Sequence, residues 1–145
     1  MDPILFTLLF ICFFVVIYAV AIYFYVRLLI NSLDLCGEGN RKIEPSFVWI
    51  EFFPFVGQGW NILISYQICI SLRDKIEMLS NWRSTTLLFA FGLSHSFVLA
   101  ANMVALFFIP QTTAILFPLA MGLMACWVWQ LISVNKFIAA QGEQY

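Results

Sequence analysis

Charged side chains are absent from two long parts of this chain. Residues 84–135 contain no Asp, Glu, Lys or Arg, and neither do residues 4–26. A helix that crosses a bilayer needs about 20 consecutive apolar residues, and both stretches exceed that length. Charged residues make up 10% of the 145, against about 25% in soluble domains, while hydrophobic residues reach 63%. The shortage of charge excludes a soluble core and predicts an integral membrane protein.

Several signatures of binding and catalysis are also missing. The net charge is -1 and the seven Lys and Arg form no long basic run, which excludes an electrostatic surface for nucleic acid. The four cysteines lie far apart without a Cys-x-x-Cys pair, so we expect no metal site and no disulfide framework. No phosphate-binding loop, HExxH motif or Ser-His-acid set occurs. The sequence therefore predicts a protein that is not an enzyme and holds no cofactor.

The order of apolar segments and breaks predicts one all-α membrane domain over residues 1–145. Pro3 is a favourable first residue for a helix, and Pro110 marks a tight turn between the last two apolar segments. The loops are too short to hold a soluble domain. The predicted helices cover about residues 3–33, 47–79 with a break near 54–59, 84–109 and 113–140.

The second apolar segment differs from the others because Glu51, Pro54, Gly57 and Gly59 interrupt it. Proline removes a backbone donor and glycine weakens a helix, so one straight spanning helix is not expected here. Lys and Arg accumulate in cytoplasmic loops, and four ordinary spans would place the first two basic loops on opposite faces. If residues 47–72 enter and return on one side, all basic clusters become cytoplasmic and the amino terminus lies outside. Three spans plus a hairpin and four spans both remain open.

Residues 41–54 read RKIEPSFVWIEFFP, and Trp60 follows. This pattern resembles a stretch of small bacterial inner-membrane proteins of uncharacterised activity. The resemblance implies a multi-pass protein of the bacterial inner membrane and carries no activity over to any residue. Tryptophan prefers the headgroup boundary and basic residues prefer anionic lipid, so we predict an anchoring and packing motif at the membrane interface, with a lipid or partner-binding site as the alternative. In either case Glu51 is expected to pair with Arg41 or Lys42 or to stay among the headgroups. The predicted interface residues are Arg41, Lys42, Pro45, Trp49, Glu51, Pro54 and Trp60.

His95 is the one histidine, half-way along the third predicted helix, with Asn102 two turns later on the same face. An ionisable group at that depth is a functional candidate because leaving it unpaired in hydrocarbon is costly. One histidine cannot supply a bis-histidine haem site or a two-histidine metal site within one protomer. Three roles remain open: hydrogen bonding to Ser94, Ser96 or Asn102, a cofactor or proton role, and contact with a partner subunit.

Gly92, Ser96 and Ala100 are spaced four residues apart along the same helix. Such a stripe of small residues lets another helix approach closely, either the chain's own first or fourth helix or another protein. Towards the carboxyl end, Trp127 and Trp129 precede Lys136 and are predicted to anchor the fourth helix at the membrane interface.

These features favour a non-catalytic accessory or scaffold subunit of a larger bacterial inner-membrane complex. Its expected partners are the lipid bilayer and other membrane subunits, contacted through helix faces of small and aromatic residues. The alternative is a small homo-oligomeric channel or carrier. Its polar path would be lined by Gln58, Asn61, His95 and Asn102.

Overall fold

A computed structural model describes residues 3–53, 56–79 and 85–142, all of whose regular structure is helical. Three of the helices, within residues 3–36, 86–108 and 110–142, are long and apolar enough to cross a membrane. The predicted all-α membrane fold is confirmed. The elements in chain order are α1 (Pro3–Cys36), η1 (a 3-10 helix, Pro45–Phe52), α2 (Val56–Met78), α3 (Thr86–Phe108), η2 (a 3-10 turn, Pro110–Thr112) and α4 (Thr113–Gly142).

The turn between α3 and α4 follows from its sequence. Pro110 lacks a backbone N–H, so the α-helical ladder ends before it. Two threonine hydroxyls then donate to carbonyls of the turn: Thr112 Oγ1 to Ile109 O at 2.8 Å and Thr113 Oγ1 to Pro110 O at 2.6 Å. α4 consequently returns antiparallel to α3.

The segment between α1 and α3 is a helical hairpin made of η1 and α2. The loop before η1 contacts the end of α2: Lys42 N donates to Ser71 Oγ at 2.9 Å, and Lys42 Nζ lies 3.0 Å from Asp74 Oδ2. Asn40 Nδ2 also lies 3.6 Å from Met78 Sδ. Both ends of the hairpin therefore lie at one end of the bundle, which gives three candidate spans plus a hairpin and not four spans.

We call this end of the molecule the basic end. α1 and α2 finish there and α3 begins there, and the Asn135 Nδ2 to Ser32 Oγ bond of 2.8 Å places the last turns of α4 beside the last turns of α1. The basic residues described at this end are Arg41, Lys42, Arg73, Lys75 and Lys136.

The break in the hairpin is shorter than the sequence predicted. Phe53 is extended (φ -87, ψ 114), Pro54 lies outside the described residues, and α2 has already resumed at Val56. Gly57 and Gly59 therefore lie within the helix and do not form the break. A Cβ on Gly57 would come within 2.7 Å of Glu51 Cα and Ile50 O, so this glycine allows the first turn of α2 to lie directly against η1.

The core occupies the half of the bundle nearest the basic end. Apolar residues recur every three or four positions on α1, α2 and α4, so each helix turns one stripe inward. In lipid such a core is held by close packing, because hydrocarbon tails are as apolar as the side chains. The fully or almost fully buried members are Val26, Leu29 and Leu33 of α1, Ile64, Ile68, Leu72 and Ile76 of α2, and Trp127, Leu131, Val134 and Ile138 of α4.

The other half of the bundle has one element fewer, because the hairpin stops short. Asn61 of α2 and His95 of α3 both contact Tyr25, so they lie at the same level of the bundle. At about 1.5 Å per residue, α2 extends only about 8 Å beyond this level, from Asn61 back to Val56. α3 extends about 20 Å beyond it, from His95 to Phe108, at the same rise of about 1.5 Å per residue. Beyond the hairpin tip, none of the described elements lies between α1 and the α3–α4 pair.

Candidate polar site at the hairpin tip

A buried hydrogen-bond network joins α2 to α3 at the middle of the bundle. Asn61, Ser65 and Ser96 are each at most 2% exposed. Ser65 Oγ lies 2.9 Å from Ser96 Oγ and donates to Asn61 Oδ1 at 3.2 Å, while Ser96 Oγ lies 2.5 Å from Asn61 Oδ1 and 2.8 Å from Gly92 O. The three side chains satisfy one another, as polar groups buried at this depth require.

His95 belongs to the same network through Tyr25. Its Nδ1 lies 3.2 Å from the Phe91 carbonyl oxygen, which accepts, so Nδ1 carries the proton and Nε2 is free to accept from Tyr25 Oη at 3.5 Å. Tyr25 Oη in turn accepts from Asn61 Nδ2 at 3.4 Å. These contacts fit a neutral imidazole.

Two of the partners predicted for His95 are absent from this network. The Ser94 side chain is exposed, and Asn102 Oδ1 is buried without a hydrogen-bond partner in the described structure. Tyr25 and the Phe91 carbonyl make the contacts instead. Phe91 lies one helical turn before His95 on α3, so its carbonyl faces the imidazole. Tyr25 reaches the imidazole from α1, across the bundle.

The stripe of small residues on α3 faces the chain's own α2 and α4. A Cβ on Gly92 would lie 2.8 Å from Trp127 Nε1 and 3.1 Å from Cys69 Sγ. Ser96 is bonded to α2 as described, and Ala100 is half-buried. The fourth helix is one of the two intramolecular neighbours that the sequence named, and α2 is an additional neighbour.

The prediction that Trp127 anchors α4 at the membrane interface is wrong. Trp127 is fully buried and stacks on His95, with ring centroids 4.6 Å apart and an interplanar angle of 26°. Trp129 is 73% exposed. The two tryptophans are two positions apart, so the helical period turns them to different faces.

Glu51 lies inside the protein and makes neither of its expected contacts. Its side chain is buried, with the residue 4% exposed, and Oε1 has no hydrogen-bond partner among the residues described. Arg41 pairs with Asp34 at 3.6 Å and Glu38 at 3.4 Å, and Lys42 pairs with Asp74. Burial raises the pKa of Glu51 to about 7, against a smaller opposing effect of the nearby Asn61 amide. The 3-10 geometry of η1 turns this carboxyl inward, which the sequence pattern did not indicate.

The other predicted interface residues are spread along the hairpin and do not form one site. Arg41 and Lys42 lie at the basic end and Pro45 begins η1. Trp49 is 38% exposed and packs near the ring of Tyr23, while Trp60 is 41% exposed on α2. Pro54 is outside the described residues. The motif residues from Arg41 to Glu51 therefore lie on the arm of the hairpin that leads away from the basic end, whereas Trp60 lies on the returning helix α2.

A cavity of about 200 Å³ lies between the hairpin tip, α1, α3 and α4. Part of its wall is polar and part is apolar. The polar lining consists of Tyr18, Tyr25, Glu51, Gln58, Asn61 and His95, and the apolar lining includes Ile22, Leu99, Phe117, Met121 and Met124.

This cavity unites three of the four residues predicted to line a polar path, Gln58, Asn61 and His95. Asn102 is not part of its wall. Towards the basic end the space is closed by fully buried Leu29, Leu33, Ile68 and Leu72. Within the described part of one chain, the polar groups thus form a pocket that ends before the basic end and not a path through the membrane.

Sequence reasoning missed Tyr18, Tyr25 and Ser65 as members of this site. Asn61 and Ser65 are four residues apart in an apolar segment, a spacing that puts both side chains on one helix face and that signals a buried polar pair. Nothing in the sequence distinguishes Tyr25 from the neighbouring Tyr23. Its role depends on which face of α1 meets the hairpin.

No group of three His, Cys, Asp or Glu side chains suited to a metal ion comes together in the described ranges. The chemistry available at the site is therefore hydrogen bonding and charge, supplied by one carboxyl, two carboxamides, two phenols and one imidazole. Comparison of the chain with protein families, with curated proteins and with solved structures finds no match.

Proposed function

We propose that this chain is a non-catalytic accessory subunit that scaffolds a larger assembly in the bacterial inner membrane. The supporting observation is the amino-terminal half of α1. Its large apolar side chains from Ile4 to Val20, wherever the structure describes them, are exposed by 43% to 69%, and they point to every side of the helix. The carboxyl-terminal half of the same helix is packed into the core.

This half-helix is a surface for neighbours in the membrane. It is rich in phenylalanine: the ring of Phe14 lies tilted against that of Phe10, with centroids 4.6 Å apart, and edge-on to that of Phe13, with centroids 5.9 Å apart. Aromatic clusters supply large rigid contact area at interfaces. Since no described element of the chain fills the space beyond the hairpin tip, a helix of another subunit has room to pack beside α1.

The bacterial inner membrane and the orientation are part of this proposal. The resemblance of residues 41–54 to small bacterial inner-membrane proteins supports the compartment. The basic end holds Arg41, Lys42, Arg73, Lys75 and Lys136, whereas the η2 turn at the other end has no basic residue. We infer from this asymmetry that the basic end faces the cytoplasm and the amino terminus lies outside.

The polar cavity is the observation that favours the alternative, a homo-oligomeric channel or carrier. A path through one chain would require the packed residues around Leu33 and Leu72 to separate, because they close the space below the cavity. Liposome flux that is lost in His95→Leu would support the alternative. The exposed face of α1 favours the accessory role.

Native cysteines test the accessory role. Cys12 is exposed on the amino-terminal half of α1 and Cys126 is exposed on α4. A lipid-soluble benzophenone maleimide is attached to Cys12 in Cys126→Ala membranes, and to Cys126 in Cys12→Ala membranes as the matched control. After illumination, a partner subunit should be cross-linked from Cys12 and not from Cys126, and the same protein should co-purify at a fixed ratio in gentle detergent.

Two results would contradict the accessory role. One is cross-linking to lipid alone from both positions. The other is recovery of the chain as a free monomer under the gentlest solubilisation that keeps known complexes of the same membrane intact.

A further inference from the structure

The polar wall of the cavity at the hairpin tip carries hydrogen-bond acceptors that the protein leaves unused. Glu51 Oε1 and Gln58 Oε1 are buried and have no partner in the described structure, and both residues line the cavity. Tyr25, Asn61 and His95 in the same wall are bonded to one another. Leaving a buried acceptor without a hydrogen bond is costly, so these two oxygens point to a donor that enters from outside the chain.

The chain supplies no cation of its own to Glu51 among the residues described. Arg41, Lys42 and Arg73 all pair with carboxylates at the basic end, namely Asp34, Glu38, Asp74 and Glu77. A carboxyl buried without a positive partner favours binding of a positive group, because the attraction is strong where water is excluded.

Aromatic rings lie beside this carboxyl. Tyr18 and Tyr25 of α1 line the same cavity, and the faces of aromatic rings attract cations. A positive group bound at Glu51 is therefore favoured by the carboxylate and by its aromatic surroundings together.

The rest of the wall is apolar and reaches the membrane-facing surface. Phe117 and Met121 of α4 line the cavity and are themselves 54% and 38% exposed. The cavity of about 200 Å³ is smaller than the usual 300 Å³ or more of small-molecule sites. It is suited to a compact head group whose apolar part extends between α1 and α4 towards lipid.

We propose that this cavity binds an amphipathic ammonium compound, with the ammonium group at Glu51 and Gln58 and the alkyl part against Phe117 and Met121. The site is independent of the accessory role, since all its walls come from one chain. Binding would therefore persist in a purified protein that has lost every partner subunit.

Hexylammonium is the probe, with hexan-1-ol as its uncharged counterpart of the same length. The full chain is held in phosphatidylcholine nanodiscs, and binding is measured by calorimetry against empty nanodiscs. Charge-assisted bonds are markedly stronger than neutral ones, so hexylammonium should bind one site per chain with a Kd about tenfold lower than hexan-1-ol. Glu51→Gln should abolish that difference, whereas Glu44→Gln, which removes the same charge from an exposed position, should leave it unchanged.

A second measurement uses the unaltered protein and does not depend on the folding of a variant. Dicyclohexylcarbodiimide modifies carboxyl groups held in apolar surroundings, and mass spectrometry locates the adduct. Hexylammonium should protect Glu51 from modification, and hexan-1-ol at the same occupancy of the membrane should not. Equal affinity for the two probes, a preference retained in Glu51→Gln, or equal protection by both compounds would overturn the proposal.

Discussion

The indole of Trp127 stacks on the imidazole of His95, with ring centroids 4.6 Å apart. The contact joins α4 to α3 at the level where Tyr25 of α1 and Asn61 of α2 also meet. All four long helices therefore contribute to one buried polar and aromatic centre. Gly92 makes the stacking possible, because the indole occupies the space that a side chain at this position would fill.

Replacing Gly92 by alanine should destabilise the protein. The added methyl would lie 2.8 Å from Trp127 Nε1 and 3.1 Å from Cys69 Sγ, and overpacking of this kind costs about 1–3 kcal/mol. Gly122→Ala on α4 is the matched control, since a Cβ there meets nothing within 4 Å. Thermal unfolding in detergent, followed by circular dichroism, measures both. Equal melting temperatures for the two variants would show that the contact is not tight.

Trp127 and Trp129 should differ sharply when each is truncated. Trp127→Ala removes a fully buried ring and should lower the free energy of unfolding by about 3–5 kcal/mol. Trp129→Ala, at a 73% exposed position, should change it by about 0.5 kcal/mol or less. Denaturation in mixed micelles gives both values. An equally small loss for Trp127→Ala would contradict its burial and restore the interface-anchor interpretation.

Cysteines placed at both ends of the hairpin should be labelled from the same side of the membrane. Glu38 and Glu77 have exposed side chains in the loop before η1 and near the end of α2. Glu38→Cys and Glu77→Cys should react with a charged maleimide from one face, and Gln111→Cys in η2 from the other. Inverted and right-side-out vesicles distinguish the faces. Labelling of positions 38 and 77 from opposite faces would mean that α2 crosses the bilayer.

Asn61 and Ser96 should be energetically coupled. Asn61 Oδ1 accepts from Ser96, so either alanine substitution breaks the same network and the double variant should lose less stability than the sum of the two. The coupling is expected to be about 0.5–2 kcal/mol, the range of interhelical hydrogen bonds in membranes. Asn61→Ala combined with Asn135→Ala, which belongs to a separate bond with Ser32, should be additive. Additivity in both pairs would contradict the network.

Much of the fold could be predicted from the sequence, because a bilayer imposes strong constraints on length and charge. The uncharged residues 4–26 and 84–135 predicted the apolar helices, and the basic clusters together with the interruptions in residues 47–72 suggested a hairpin. Pro110 correctly marked the turn between α3 and α4. Each of these signals is local, since it depends on the hydropathy, charge or backbone chemistry of a few neighbouring residues.

The polar site was less predictable, because its members come from four separate parts of the chain. Asn61 and His95 stood out as polar residues within apolar segments, but Tyr25 resembled its neighbours until helix packing selected one face of α1. Glu51 was expected to lie near the basic residues that precede it in sequence. Because of the 3-10 turn of η1, Glu51 instead lines a cavity, where none of the described Lys or Arg side chains pairs with it.

The sequence alone determined that lipid surrounds this protein and that its segments are helical. Long apolar runs without charge are stable as helices in hydrocarbon, and few other structures satisfy the backbone there. Tertiary structure decided which polar groups meet. In a membrane all faces of these helices are nearly equally apolar, so hydrophobicity does not choose the contact face. Close packing at Gly57 and Gly92 and the hydrogen bonds of Asn61, Ser96 and Tyr25 make that choice, and they exist only when the helices are assembled.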